Sequence, residues 1–257
     1  MKLNPAENRL RSARSSTFVN SSSHALLPVL LACLALGSAP ANGTPRAVTA
    51  TYNGYMNGMA VGVMSEVFET SDRGYRIISE TRPLGLAVFV QRQPLRFESR
   101  GQVSPRGLKP SHFEARRNAA DLPQVAADFD WVSGQLTLKH AGKVESLPLA
   151  AGTQDRLSVM YQFMFMGLGT SSSEVDFPMT NGRKLDHYRY RVTPGVELDT
   201  PIGRLKTLHL AKIRQPGEGN TEVWLSTAHK YFPVKMVIVE RDGVRYEQVI
   251  QSLELRE

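Results

Sequence analysis

Acidic residues, histidines and one serine are the side chains of this chain whose types and spacing could carry chemistry. The stretch "QDRLS" places Asp155 and Ser158 three residues apart. Together with a distant histidine, such a pair can form a nucleophilic triad. A helix cap followed by an exposed first turn explains the same residues more simply, because Asp and Ser are preferred at helix starts. We favour the cap.

Two carboxylate–tryptophan groupings are candidates for ligand contact. In "DFDW", Asp128 and Asp130 share one face of a predicted strand beside Trp131, as in part of a glycan-binding or glycosidase site. In "TEVWLST", Glu222 lies on the same face as Trp224, and an aromatic beside a carboxylate can contact a ligand at a barrel mouth. An outward acidic face with Trp131 packed inward explains the first pattern, and a rim aromatic that shields a strand end explains the second, so we favour those interpretations.

The sequence has few other catalytic or metal-binding signatures. It lacks a Gly-x-Ser-x-Gly elbow, a P-loop and a Gly-x-Gly-x-x-Gly turn. The histidines of the predicted mature chain form no His-x-His or His-x-x-x-His pair; they are His112, His140, His187, His209 and His229. We therefore expect no metal and no cofactor. The formal net charge is +7, but basic and acidic residues are interspersed, which argues against nucleic-acid binding.

The N-terminal segment predicts export. Residues 1–24 are polar and basic, and the apolar run "ALLPVLLACLAL" that follows is too short to span a membrane. "GSAPANG" then supplies the small-x-small pattern that signal peptidase reads. We expect a signal peptide over 1–41, cleaved near Ala41, and a periplasmic protein. Lipidation at Cys33 is the less favoured alternative, because a lipidated cysteine should end the apolar run.

The rest of the chain predicts a mainly β protein. After a leader over 42–51, short β-rich runs alternate with turn signals such as "SDRG", "PRG", "SGQ" and "RDG" through a single domain at 52–257. The run "PLGLAVFVQ" is ambiguous between strand and short helix. Imperfect alternation in 204–213 and 244–255 predicts bulges there. We expect a curved antiparallel meander sheet, or an open or closed β-barrel.

One apolar stretch interrupts this pattern and predicts a buried helix over about 154–168. Its apolar residues fall at helical spacing with Thr153 as the cap and Gly167 and Gly169 at the end. A helix that is apolar nearly all round must be buried or lie in a membrane, and this one is too short for a membrane. Plain core packing explains its methionines. Alternatively they line a hydrophobic ligand site, for which the candidate residues are Met160, Met164, Phe165, Trp131, Trp224 and Tyr188.

Several motifs, in this order, resemble an uncharacterised exported bacterial family, domain of unknown function 3108. They are "ESRGQVSPRGLKPSHFEARR", "ADFDW", "QDRLSVMYQF", "TPIGRLKTLHL", "TEVWLSTAHKYFPVKM" and "RDGVRYEQ", and the resemblance covers about 52–255. It implies a β-rich envelope protein of Gram-negative bacteria, without an established activity or site. The family's architecture looks similar to the lipoprotein-carrier half-barrels, although this chain has fewer predicted helices.

Three functional hypotheses follow. The first and favoured one is a non-enzymatic binding or carrier protein that holds an apolar, lipid-like ligand against the helix and the sheet. The second is an envelope glycan hydrolase with Asp128, Asp130, Asp155 or Glu222 as acid and base, although their spacing does not show that they converge. The third is an assembly or interaction protein with a solid core and an envelope protein partner. The size of the internal cavity separates the first from the third.

Overall fold

The computed structural model describes residues 45–85, 87–90, 93–117, 123–168 and 173–257. The predicted signal peptide, including Cys33, lies outside these residues. Fifteen strands make up most of the described chain. They are β1 (Ala47–Met56), β2 (Met59–Ser71), β3 (Gly74–Pro83), β4 (Leu95–Ser104), β5 (Gly107–Arg116), β6 (Val125–Asp130), β7 (Gln135–His140), β8 (Lys143–Pro148), β9 (Gln154–Asp155), β10 (Glu174–Thr180), β11 (Leu185–Thr200), β12 (Gly203–Lys212), β13 (Asn220–Ser226), β14 (Phe232–Val239) and β15 (Arg245–Arg256).

All fifteen strands belong to one sheet, in the order β8-β7-β6-β5-β4-β3-β2-β1-β15-β14-β13-β12-β11-β10-β9. Neighbouring strands are antiparallel, except that the two-residue strand β9 runs parallel to β10. The sheet does not close into a barrel, since β8 and β9 are its edges. The predicted meander is therefore confirmed. The hairpins at "SDRG" and "PRG" form between β2 and β3 and between β4 and β5.

Helix α1 (Ala87–Val90) forms within the run that was ambiguous in the sequence, and helix α2 (Ser158–Gln162) follows β9. No helix among the described residues is long and apolar enough to cross a membrane.

The sheet curls strongly around α2. This helix contacts both β5 and β14, which are six strand steps apart in the sheet order. At about 4.8 Å per step, a flat sheet would separate these strands by roughly 29 Å. A helix is only about 10–12 Å wide, so it can reach both strands only if the sheet wraps around it. The face of the sheet that contacts α2 is therefore concave.

The buried helix is shorter than the sequence predicts. Instead of a helix over about 154–168, the chain forms β9, then α2, then one 3₁₀ turn at Phe163–Phe165. The predicted cap at Thr153 is wrong, because its hydroxyl donates to the carbonyl of Ala150. Asp155 caps α2 instead, because its carboxylate accepts the N–H groups of Leu157 and Ser158.

The end of this segment and the start of the domain also differ in part from the expectations. Gly167 ends the segment with φ +58°, as predicted, and Gly169 lies outside the described residues. The expected leader over 42–51 is too long, because β1 already begins at Ala47 and pairs with β2 and β15.

One of the two predicted bulge positions is correct. Strand β15 carries an extra residue at Gln251, opposite the junction of Thr51 and Tyr52. The irregularity expected in 204–213 lies instead on the partner strand β11, where Pro194 and Gly195 together face a single residue of β12. Proline cannot donate to the ladder, so this strand, and not β12, takes up the irregularity.

The core consists of two apolar clusters on either side of α2. Tyr161 packs against Phe68 of β2 and Phe232 of β14, with ring centroids 4.8 and 5.5 Å apart. Phe163 points the other way and meets Phe177 of β10 at 5.9 Å. Burying one such aromatic side chain contributes about 1.5–3 kcal/mol. The apolar helix segment therefore joins the two walls of the curled sheet.

Candidate functional site

A cavity of about 690 Å³ lies between the concave face of the sheet and the segment that contains α2. One wall comes from β2, β3 and β4, another from β10, β11 and β12, and the back from β13, β14 and β15. Exposed residues on one side, including Lys184, Gln215, Glu240 and Arg241, mark where the cavity opens to solvent. Its volume falls in the range of about 300–1,000 Å³ that is usual for small-molecule sites.

Apolar side chains of the concave face line the cavity without being covered. Met64 on β2, Phe97 on β4, and Met236 and Ile238 on β14 are all half-buried, although they point to the same side of the sheet as the core. Elsewhere on this face, residues such as Ile77 and Leu225 are fully buried. The core is therefore filled near α2 and left open next to these four residues.

A ladder of aromatic rings forms the opposite wall. Tyr188 and Tyr190 on β11 stack at 6.4 Å, and Phe177 on β10 stacks on Tyr190 at 5.8 Å. The ammonium group of Lys212 lies 5.4 Å from the centre of the Tyr188 ring. Such rings offer large, stiff contact surfaces.

A buried polar network holds the chain between β9 and α2 against the sheet. The hydroxyl of Tyr75 lies 3.1 Å from that of Ser99, which donates to the Asp155 carboxylate at 2.6 Å. Burial raises the pKa of Asp155, while these hydrogen bonds oppose that rise. A second buried contact runs from the Tyr161 hydroxyl to the carboxylate of Glu66 at 3.3 Å, and burial likewise raises the pKa of Glu66. The network fixes the position of Arg156, which follows Asp155 directly and lines the cavity.

Of the six residues predicted to contact a ligand, Met160 and Tyr188 line this cavity. Met164 and Phe165 pack, half-buried, against the core cluster that contains Tyr161. They follow Tyr161 in the chain and lie at the filled end of the concave face.

The two tryptophans of the prediction lie away from the cavity lining. The indole N–H of Trp131 donates to the carbonyl of Pro110 at 2.6 Å. The ring of Trp224 stacks on His209 at 4.5 Å, with the Lys235 ammonium group 5.4 Å from its centre. Each indole thus has partners from its own neighbouring strands.

Sequence reasoning missed Arg156, Met64, Phe97 and Met236 as cavity residues. Arg156 was attributed to an exposed helix turn. Its signal in the sequence was a single basic residue at the start of an otherwise apolar stretch. The other three residues alternate like any core position of a strand, and nothing in the sequence marks them as facing a cavity.

The candidate catalytic carboxylates are engaged in local contacts. Asp128 pairs with His112 at 2.6 Å and Lys139 at 2.8 Å across three adjacent strands. Glu222 pairs with His209 at 2.9 Å on β12 and β13. These cross-strand pairs explain the charges without catalysis.

Asp130 and Ser158 also serve their own backbone neighbourhoods. Asp130 accepts the N–H groups of Val132 and Ser133 in a turn. Ser158 accepts the N–H of Asp155 and donates to its carbonyl oxygen, with no histidine among its partners in the described chain. Within the described ranges, no three His, Cys, Asp or Glu side chains group as metal ligands.

The fold and the cavity define a class of protein: a curled antiparallel sheet that resembles an unclosed barrel and holds an internal pocket. Residues 49–249 match the model of a family described as protein of unknown function DUF3108, so the chain belongs to that family. No curated protein matches the sequence.

Among solved structures, the chain is similar to a β-barrel-like protein of domain of unknown function DUF1849 from Brucella abortus. The TM-score is 0.52 at 11% identity, over 83% of this chain and 99% of the other, which supports the fold alone. An exported protein with a YmcC-like fold from Bacteroides fragilis matches at TM-score 0.34 and 11% identity, over 82% and 96% of the two chains. An outer membrane lipoprotein-sorting protein domain from Vibrio parahaemolyticus matches at 0.25 and 11%, over 81% and 85%. TM-scores this low do not establish a shared fold.

Proposed function

We propose that the protein is an exported, non-enzymatic binding protein that holds an apolar, lipid-like ligand in the cavity beside α2. One observation carries the proposal: apolar residues of the concave face are left half-exposed around a volume of about 690 Å³. Covering apolar surface stabilises by about 25 cal/mol per Å². A ligand with an apolar chain gains this energy by covering Met64, Phe97, Met236 and Ile238.

The side chains of the lining suit a ligand of variable shape. Four methionines, on β2, α2, β10 and β14, line the cavity: Met64, Met160, Met179 and Met236. Methionine has three rotatable bonds and a polarizable sulfur, so it adapts to irregular apolar surfaces. The stacked rings of Tyr188 and Tyr190 supply a stiffer wall opposite. A flexible wall that faces a rigid wall favours a chain-like ligand of variable conformation over a rigid ligand.

The internal volume argues against the interaction protein with a solid core, which requires a filled interior. The carboxylate contacts argue against the glycan hydrolase, because Asp128 and Glu222 are paired with histidines on neighbouring strands and Asp155 is buried and hydrogen-bonded. Export is supported by the short apolar run at residues 25–36 and the small residues around Ala41.

The first experiment is to express the complete sequence with its own export signal and purify the protein. Native and denaturing mass spectra are then compared. We expect a mass excess in the native spectrum that disappears on denaturation and is recovered as lipid on extraction. A bare native mass, together with no saturable binding of added decanol, would contradict the proposal.

A pair of tryptophan variants locates the ligand. Met236→Trp fills part of the cavity and should lose the bound mass, because the indole occupies the space that the ligand needs. Val132→Trp is the matched control, because Val132 is 99% exposed and lies in the turn after β6. Circular dichroism checks that both variants are folded. Equal occupancy in the two variants would place the ligand outside this cavity.

A further inference from the structure

Arg156 places a positive charge inside the apolar cavity. It lies between β9 and α2, its side chain is exposed, and it lines the cavity. Its guanidinium stacks over the ring of Phe97 on β4, 4.6 Å from the ring centroid. It is also close enough to Glu66 on β2 and Tyr188 on β11 to interact electrostatically with both. β2 and β4 form one wall of the cavity and β11 belongs to the opposite wall. The guanidinium therefore projects between the walls, and its exposed surface faces the cavity.

The N–H donors of Arg156 have no acceptor among the described residues, and the guanidinium forms no ion pair with them. Several other arginines of the protein are paired with carboxylates, for example Arg76 with Glu98, Arg189 with Glu174 and Arg204 with Asp199. A guanidinium carries five N–H donors and keeps its charge at all physiological pH values. Arg156 therefore presents a charged, unpaired donor group to the cavity.

The acidic side chains near Arg156 are already committed elsewhere. The Asp155 carboxylate accepts three hydrogen bonds, from Ser99, Leu157 and Ser158. Glu66 is 6% exposed and accepts from Tyr161. Because burial raises the pKa of Glu66, its negative charge is disfavoured, and it opposes a nearby anion less than an exposed glutamate does.

We infer that Arg156 binds the anionic head, a carboxylate or a phosphate, of an amphipathic ligand whose apolar chain covers the methionine-rich wall. The planar fork of a guanidinium matches both anions with two parallel hydrogen bonds. The Phe97 ring holds the plane of the fork before the ligand arrives, which reduces the ordering cost of binding. This inference rests on the proposed function, since it names the substrate class of the same cavity.

Lysines near the opening of the cavity are paired with carboxylates, whereas Arg241, which is exposed there, has no ion pair among the described residues. Lys184 bonds to Asp186 at 2.5 Å and Lys212 to Glu218 at 3.1 Å. Arg241 lies at the solvent-exposed opening, where an ion pair contributes little, so the Arg156 guanidinium between the walls is the stronger anion site of the lining. This sets an orientation in which the anionic head lies at Arg156 and Phe97 and the chain extends along Met64, Met236 and Ile238.

The test compares probes with the same chain and different heads. The exported and purified protein, stripped of bound lipid, is titrated by calorimetry with decanoate, decyl phosphate, decanol and inorganic phosphate at about pH 8, where a free carboxylate is ionised. We expect decanoate and decyl phosphate to bind about tenfold or more tightly than decanol. Inorganic phosphate should bind far more weakly than decyl phosphate, because it lacks the chain.

Variants then assign the difference to one side chain. Arg156→Gln should weaken both anionic amphiphiles by about tenfold and leave decanol unchanged, and Arg156→Lys should fall between it and the parent protein. Arg204→Gln is the matched control, because Arg204 is an exposed arginine on β12 paired with Asp199. It should bind every probe like the parent protein.

Each other outcome would reject a specific part of the inference or the proposed function as a whole. Equal affinity of the parent protein for decanoate and decanol rejects the anionic anchor and leaves the apolar site intact, and this result does not depend on any variant folding. Equal weakening of decanol by Arg156→Gln gives Arg156 a packing role only. If inorganic phosphate binds as tightly as decyl phosphate, the ligand of this site is a free anion and not an amphiphile. If no chain-bearing probe binds, the proposed function itself fails.

Discussion

Replacing Asp155 with alanine should strongly destabilise the fold, because three hydrogen-bond donors depend on this carboxylate. Asp155 is fully buried. It accepts from the Ser99 hydroxyl at 2.6 Å, from the Leu157 N–H at 2.8 Å and from the Ser158 N–H at 2.9 Å. Alanine leaves the two backbone N–H groups buried without this acceptor, and the Ser99 hydroxyl keeps only the Tyr75 hydroxyl, 3.1 Å away, as a side-chain neighbour.

The size of the loss in unfolding free energy follows from the number of donors that lose the Asp155 carboxylate as their acceptor. A buried donor without an acceptor costs about 1–3 kcal/mol. Two of the donors are the N–H groups of Leu157 and Ser158 at the start of α2, where loss of a capping side chain alone costs about 0.5–2 kcal/mol. We expect Asp155→Ala to lower the free energy of unfolding by about 3–5 kcal/mol, because the segment partly relaxes and the costs are not additive.

Urea unfolding followed by circular dichroism measures this loss from the midpoint at constant slope. The chain provides a matched control in Asp130, which is exposed and accepts the same pair of backbone donors, two and three residues on, at 2.9 and 3.0 Å. Water replaces the Asp130 carboxylate when it is removed, so Asp130→Ala should lower the midpoint far less. Equal losses for the two variants would refute the argument that burial makes Asp155 decisive.

Asparagine at position 155 separates charge from hydrogen bonding. Burial raises the pKa of Asp155 above its ordinary 3.8, so the folded state binds a proton that the unfolded state has released. Stability contributed by this group is therefore highest at acid pH and falls as the pH rises from about 3.8 through the raised value. Asp155→Asn keeps an acceptor for the α2 donors and should flatten this fall. If Asp155→Asn leaves the pH dependence of stability unchanged, the buried carboxylate is not the source of that dependence.

Two further predictions concern stability. Tyr161→Phe removes the hydroxyl that donates to Glu66 and should cost about 1–2 kcal/mol in the free energy of unfolding near neutral pH. Burial raises the pKa of Glu66 above its ordinary 4.5, and the hydrogen bond from Tyr161 favours the ionised carboxylate. The loss of stability should therefore shrink as the pH falls below the raised pKa of Glu66. A loss that stays constant with pH in the same urea titrations would contradict the role of Glu66. Gly74→Ala should cost about 3 kcal/mol or more, because a Cβ there would lie 2.0 Å from the Gly101 carbonyl oxygen at a φ of +128°. Its control, Gly134→Ala, has a φ of +68° and open space around the Cβ, so thermal unfolding should show a loss of about 1 kcal/mol; similar losses at both glycines would show that the sheet yields at Gly74.

The candidate site could be predicted only in part from the sequence. The apolar run after Asp155 indicated correctly that a methionine-rich segment occupies the concave side, and Met160 and Tyr188 line the cavity. The helix bounds were wrong, because Gln154 and Asp155 bond to β5 and β4 before the helix begins. Those contacts join residues about 46 and 56 positions apart in the chain, and no local pattern encodes them.

Local chemistry therefore determined the strands, the turns and the presence of one buried apolar segment, since alternation and turn residues act over a few positions. The tertiary structure decided which apolar residues are covered and which face a cavity. Ile77 and Met236 follow the same alternation in their strands, yet only Met236 lines the open volume. The cause is the curl of the sheet, which brings β4 and β11 to opposite walls around Arg156. Long-range packing sets this curl, and with it the charge environment of the site.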